Sequence, residues 1–266
     1  MKKIIFSLGL FFIINNIHSQ IGGLSASKLE TLCTETVPAQ TIEFEPFFGY
    51  ATSTRFFDKN GDIQDLFATS DSSQFFSAPG FRFSYGVIKN LEIGVSIPID
   101  ISTVSFGAKY KLPIEGKLTL GLLAGYNSIV GNNIYIRRNA AHETSSSIAG
   151  GLILTYEFSD KFSFDFNAQY HEHFNTTSDG HDKGICFGTD VGYYSIENIN
   201  FIIGMNYFFE KYDLFDKNSH LFTLNPGIAI EKAENFILVL NLPVDLFGKN
   251  EFQTVGFGLA LTIILD

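Results

Sequence analysis

Several groups of side chains in this sequence have types and spacings that could do chemistry. Glu43, Glu45, Arg82, Glu92, Lys109, Lys111, Glu157, Asp165 and Asp190 occupy alternate positions within otherwise apolar segments. Alternate positions on an extended chain face one way, so these charges are expected to share one side. Glu43 and Glu45 would flank Arg82 on one neighbouring strand and Glu92 on the other. A guanidinium can bridge carboxylates across strands. Such a group is either an ion-pair ladder filling an interior or a constriction that selects solutes by charge.

His171 and His173 are two residues apart, so their rings share a face, a geometry that can hold a metal ion. His142, His181 and His220 fall in segments at the same end. The plainer reading is hydrated histidines near loops, and no metal or cofactor is assigned. Asp58-Lys59-Asn60-Gly61-Asp62-Ile63-Gln64-Asp65 offers oxygens at alternate positions, as a calcium loop does. However, its Gly comes too early, and Thr69 stands where a bidentate Glu is required. It reads as a polar turn. Cys33 and Cys186 are the only cysteines. In an oxidising compartment they could form a disulfide or stay as thiols. The eight residues from Cys33 to Thr41 reach about 26 Å when extended, so residues 20–40 could enter an interior as a plug. No Gly-x-Ser-x-Gly or nucleotide-binding loop occurs, and no outward His stands beside a Ser. An enzyme is not expected.

The elements that must position these groups are strands. Phe162, Phe164, Phe166, Ala168 and Tyr170 alternate with Ser163, Asp165, Asn167, Gln169 and His171. The same period of two recurs over about twelve segments: 41–53, 75–87, 91–99, 102–112, 117–129, 147–158, 162–174, 184–194, 199–211, 219–230, 236–246 and 252–265. Most have the length of a tilted strand crossing a bilayer. One face carries Phe, Tyr, Leu, Ile and Val. The other carries Gly, Ser, Thr and Asn with scattered charge. Connections alternate between tight turns, such as Ile88-Lys89-Asn90 and Ser159-Asp160-Lys161, and generally longer polar stretches, such as 54–74 and 130–146. Short turns at one end and long loops at the other are the asymmetry of an outer-membrane barrel. Tyr50, Phe75, Tyr126, Tyr156, Phe158, Tyr193, Tyr207 and Phe209 stand near strand ends, where interfacial girdles form.

Composition points the same way. The chain has 266 residues, 45% hydrophobic and 17% charged, so a disordered chain is excluded. Its mean hydropathy of +0.14 is high for a soluble domain and low for a helix bundle. After the first residues no uncharged apolar run of about 18 residues occurs, as a spanning helix needs. The formal net charge of −10 and the lack of a basic stripe argue against nucleic acid as partner. Lys2 and Lys3, then the apolar stretch Ile4 to Ile14 and a small residue at Ser19, read as a signal peptide over 1–19. The expected organisation is therefore a signal over 1–19, a periplasmic or lumen segment over 20–40, and a barrel over 41–266. The fold expected is an all-β, closed antiparallel transmembrane barrel of about 12 strands with both termini periplasmic, in the outer membrane of a Gram-negative bacterium. Its expected partners are outer-membrane lipids and lipopolysaccharide, the barrel-assembly machinery and a small-molecule solute.

The run FRFSYGVIKNLEIGV (81–95), followed by FGAKYKL (106–112), resembles the family of outer-membrane transporters of the meta-pathway of phenol degradation. The residues that carry the resemblance are Tyr85, Gly86, Asn90, Leu91, Glu92, Gly107, Lys109 and Tyr110. TIEFEPFFGY (41–50) is similar to that family's first strand. The likeness spans about 41–112 and is architectural beyond. It implies a porin-like channel for small compounds, including aromatic or apolar ones. A non-conducting barrel displaying its outer loops is the alternative.

Overall fold

The computed structural model describes residues 21–265 except 26, 69–71, 100, 102, 131–145, 175–180, 197, 213–216 and 234. The expected signal segment and His142 lie outside the described residues. Twelve strands, β1 to β12 in chain order, form one closed antiparallel sheet. The first six are β1 (Ile42–Phe57), β2 (Gln74–Ile88), β3 (Leu91–Pro98), β4 (Thr103–Lys111), β5 (Leu118–Ile129) and β6 (Ser146–Ser159). They continue as β7 (Phe162–Phe174), β8 (His181–Ile196), β9 (Ile199–Tyr212) and β10 (Lys217–Ala233). β11 runs in two pieces, Phe236–Asn241 and Val244–Lys249, and β12 is Glu251–Leu265. Each strand pairs with the next, and β12 pairs back onto β1 from Leu265↔Ile42 to Glu251↔Phe57. Closure leaves the wall without a free edge, as lipid requires. In addition to the twelve strands, Ile63–Asp65 extends the far end of β1, and Ser27–Lys28 pairs with Thr31–Leu32.

The alternation in the sequence maps onto the wall with the polarity of a soluble protein inverted. Leu152 and Ile203 are 59% and 54% exposed on the outside, while Asn167, Asn200, Asn225 and Asp190 are 0% exposed inside. Apolar surface around the whole circumference needs acyl chains against it. Outer aromatics pair toward the strand ends: Tyr50 with Phe75 at 6.2 Å, Tyr156 with Phe158 at 4.6 Å, and Phe162 with Tyr193 at 4.6 Å.

The strand spans follow the sequence pattern closely. β1 runs on to Phe57, and β11 is broken at Leu242-Pro243 because Pro has no N–H for the ladder. The tight turns use Asn in the left-handed region, with φ of 71° at Asn90 and 68° at Asn198, which Asn tolerates better than most residues. These turns lie at the same barrel end as Ile42 and Leu265.

Leu152 sits near the middle of β6 on the outer face. Leu152→Arg should cost about 2–4 kcal/mol in lipid vesicles, measured by urea unfolding followed by circular dichroism. A loss within about 0.5 kcal/mol, as for an ordinary water-exposed position, would contradict a lipid-facing wall.

Candidate functional site in the barrel lumen

The inward positions of β1 and β2 build the first cluster. Glu45 stands opposite Arg82 in the ladder and Glu43 opposite Ser84. The Arg82 guanidinium donates to Glu43 Oε1 at 2.7 Å and to Glu45 Oε2 at 2.8 Å, and all three residues are buried. Thr262 on β12 also donates to Glu45, at 2.5 Å. A charged trio out of bulk water holds its form only with such pairing. Glu92 does not join it. It faces Lys109 directly across β3 and β4 at 3.3 Å, with both side chains fully buried. The bridging expected on both sides of Arg82 is thus confined to one side, because the β2–β3 register sets Arg82 opposite Ser96 and Glu92 opposite Gly86.

Glu92 has a second role that the strand pattern alone does not reveal. Its carboxylate accepts Ser25 N at 2.8 Å, Ser25 Oγ at 2.5 Å and Val37 N at 2.8 Å. Lys109 donates to the Ser25 carbonyl at 2.9 Å. One ion pair on the wall therefore fastens both arms of the chain that precedes β1. The described residues of 21–40 lie against the inner wall. Ile21 N donates to Gln169, Thr34 N to Thr155 Oγ1 and Asn225 Nδ2 to the Leu29 carbonyl. Ile21, Leu24 and Leu32 pack on the inward Leu123 and Ile153, and Leu29 packs on Ile202, Ala229 and Val239. Leu29 and Glu30 adopt φ of 51° and 75° at the tip of the small hairpin. Positive φ is costly for Leu, and its burial in that cluster holds it there. Two inward glycines let the segment approach. A Cβ at Gly94 would overlap the Gly23 carbonyl, and one at Gly86 would overlap the Pro38 carbonyl.

Beside the segment a cavity of about 430 Å³ remains, lined by Glu30, Glu45, Phe76, Arg82, Phe208 and Asp245 among others. Asp245 stands where β11 is broken. It accepts Thr223 Oγ1 at 2.6 Å, and Thr254 N and Oγ1 at 2.9 and 2.6 Å. Glu30 is open to the cavity yet enclosed by the barrel. That enclosure, with the nearby Asp245 charge, pushes its carboxyl up to about 7. The sequence reading missed Asp245, Glu30, Ser25 and Glu210. Pro243 inside a strand was the signal for the first. For Glu210 it was the parity of Asn200 and Asn206 on β9.

The other candidates divide. Asp165 and Asp190 face each other in register, both fully buried, and Thr155 donates to Asp165. Lys111 is half-buried at the end of β4, and Glu157 is exposed at the end of β6, so neither joins the inner cluster. His171 and His173 are not hydrated loop residues. They turn inward, and His171 is 1% exposed with Nε2 at 2.7 Å from Glu210 Oε1. His220 lies near Tyr207, away from them, with ring centroids 6.1 Å apart. The side chain of His181 is outside the described set. Cys33 and Cys186 are both buried and no disulfide joins them. Thr34, next to Cys33, bonds Thr155, which lies in register with Asp165 and so with Asp190. Cys186 lies four residues from Asp190 along β8. Asp58 accepts Asn60 N at 2.7 Å and Asp62 N at 3.0 Å. Those backbone donors, Asn60 first, hold its carboxyl below the usual range, and its oxygens are engaged by its own turn.

A closed barrel with an apolar outer wall and a polar inner face defines the outer-membrane β-barrel fold. Solved structures agree on that fold. An outer membrane channel from Pseudomonas putida F1 aligns with a TM-score of 0.68 at 13% identity, over 87% of this chain and 98% of that one. The KdgM porin in complex with disordered oligogalacturonate aligns at 0.50 and 10% identity, over 84% and 98%. The NanC porin aligns at 0.50 and 8% identity, over 83% and 98%. No protein-family model matches the sequence, and no curated protein matches it. The resemblance to an outer-membrane transporter family is met at the level of fold.

Glu92→Gln would leave Lys109 buried without its counter-charge, a loss of about 3–5 kcal/mol, felt first by the segment it fastens. Gly94→Val should displace Gly23. In both variants the Ser25 and Val37 amides should exchange hydrogen faster while the barrel strands stay protected. Unchanged exchange at those amides would contradict the fastening.

Proposed function

We propose that this chain is an outer-membrane channel for passive movement of small solutes, with residues 21–40 narrowing its bore. The cavity left between that segment and the wall carries the reading. It is of small-molecule size, and it combines Phe76 and Phe208 with the charges of Glu30, Glu45, Arg82 and Asp245. The two rings support aromatic or apolar solutes, in keeping with the family resemblance. The charged trio around Arg82 would act as the selective constriction near the short-turn end. We place that end, with both termini of the barrel strands, in the periplasm, and residues 1–19 as the signal removed on export. Outer-membrane lipids, lipopolysaccharide and the barrel-assembly machinery are the partners this location implies. The structural neighbours above are a channel and porins, and no catalytic role is proposed.

One observation favours a second reading. The fastening of 21–40 by Glu92, Gln169, Thr155 and Asn225 supports a sealed barrel that displays its outer loops. Planar-bilayer conductance and liposome swelling separate the two. The channel reading expects discrete conductance from the full chain and a larger one after deletion of 21–40. Conductance from the deletion alone would support the sealed barrel, and two silent proteins would end the channel claim.

Glu30 adds a pH dependence. It holds its proton at about pH 6 and releases it by about pH 8. Negative charge in the cavity therefore rises with pH, and cation preference should rise with it. Reversal potentials should show this in the wild type and more weakly in Glu30→Gln. Equal slopes in both would contradict the role of Glu30.

A further inference from the structure

The outer half of the lumen holds a cluster that the channel reading does not use. His171 on β7, Gly184 on β8 and Glu210 on β9 lie side by side in the ladder. Gly184 has no side chain, so its two neighbours reach across it. A Cβ there would meet both the His171 ring and Glu210. His171 Nε2 lies 2.7 Å from Glu210 Oε1, and His173 Nε2 lies 3.9 Å from Glu210 Oε2. The two imidazoles stand edge to face at 5.1 Å. One donor atom from each of the three residues falls within a span of 4.8 Å. His171 and Glu210 are buried and His173 is half-buried, at the loop end of the bore.

We propose that His171, His173 and Glu210 form a binding site for a divalent transition-metal ion of the zinc class. Two neutral imidazoles and a carboxylate are a donor set for zinc, nickel or cobalt, not for calcium or magnesium. Around zinc, bonds of about 2.0–2.2 Å place tetrahedral donors about 3.3 Å apart. The His171–Glu210 pair opens slightly to meet that, and His173 closes by a small rotation. The three donors come from two strands separated by β8, so the ion would tie β7 to β9 across Gly184. A fourth position is left toward the bore for water or a passing ligand. This site stands apart from the Arg82 and Glu92 clusters, which lie at the opposite end of the barrel, and it does not depend on whether the bore conducts.

The test uses the full mature chain without a histidine tag, in detergent. Zn²⁺ is titrated calorimetrically, bound metal is counted after gel filtration, and Co²⁺ is added to read its visible ligand-field spectrum. About one ion per chain is expected, with a tetrahedral or five-coordinate Co²⁺ spectrum that Zn²⁺ displaces. His171→Ala, His173→Ala and Glu210→Gln should each weaken Zn²⁺ binding by roughly tenfold or more. Asp182→Asn, at the outer rim, should bind as wild type does. Heat-modifiable gel migration checks that each variant is folded. A folded wild type that retains no Zn²⁺, or folded variants at the three positions that bind it as tightly as wild type, would overturn the site.

Discussion

Every backbone N–H and C=O that crosses a bilayer must find its partner within the protein, because lipid offers none. That constraint accounts for the ring of ladders that closes where β12 meets β1. It also accounts for the outward Phe, Leu, Ile and Val and the buried Asn, Ser, Thr and Asp, which reverse the polarity of a soluble fold. Once the wall is closed, the polar face has nowhere to go but inward. The interior then becomes the place where charge can be held and where selectivity or chemistry can arise.

Burying charge inside such a wall is costly unless each group is matched. The lumen meets that demand in separate ways along its length. At the short-turn end one guanidinium serves two carboxylates. Beside it, Glu92 and Lys109 neutralise each other and also satisfy backbone groups of the chain before β1. Where Pro243 interrupts the ladder, Asp245 takes hydrogen bonds from threonines of both neighbouring strands. At the loop end, His171 answers Glu210 across a glycine. Several apolar inner positions, Leu123, Ile153 and Ile202 among them, break the polar pattern where the N-terminal segment brings its own leucines and isoleucine to cover them.

The wall was legible in the sequence because a period of two has one meaning per strand. Register follows from which residues must avoid lipid. The inward direction of Glu43, Glu45, Arg82, Glu92, Lys109, Asp165 and Asp190 came from parity alone. Pairing was less legible. Parity puts Glu92, Arg82 and Lys109 on one face, and only the strand register, Glu92 opposite Lys109 and Arg82 opposite Ser96, decides which of them meet. The course of 21–40 was out of reach, since that segment has no long-period pattern. Its contacts depend on glycines at 86 and 94, which read in sequence only as a polar face. The burial of the histidines is not legible from their place near a loop end, because it depends on the empty side-chain position at Gly184, which lets Glu210 cover His171.

The central claim is that one face of every strand looks at acyl chains while the other looks into a closed lumen. Single spin labels placed in turn at Phe164, Asp165, Phe166, Asn167, Ala168 and Gln169 of β7, in liposomes and with Cys33 and Cys186 replaced by Ser, measure this directly. Accessibility to oxygen, which concentrates in lipid, should be high at 164, 166 and 168 and low at 165, 167 and 169. Uniform accessibility along the strand, or equal access of a water-soluble relaxant to both faces, would contradict the account.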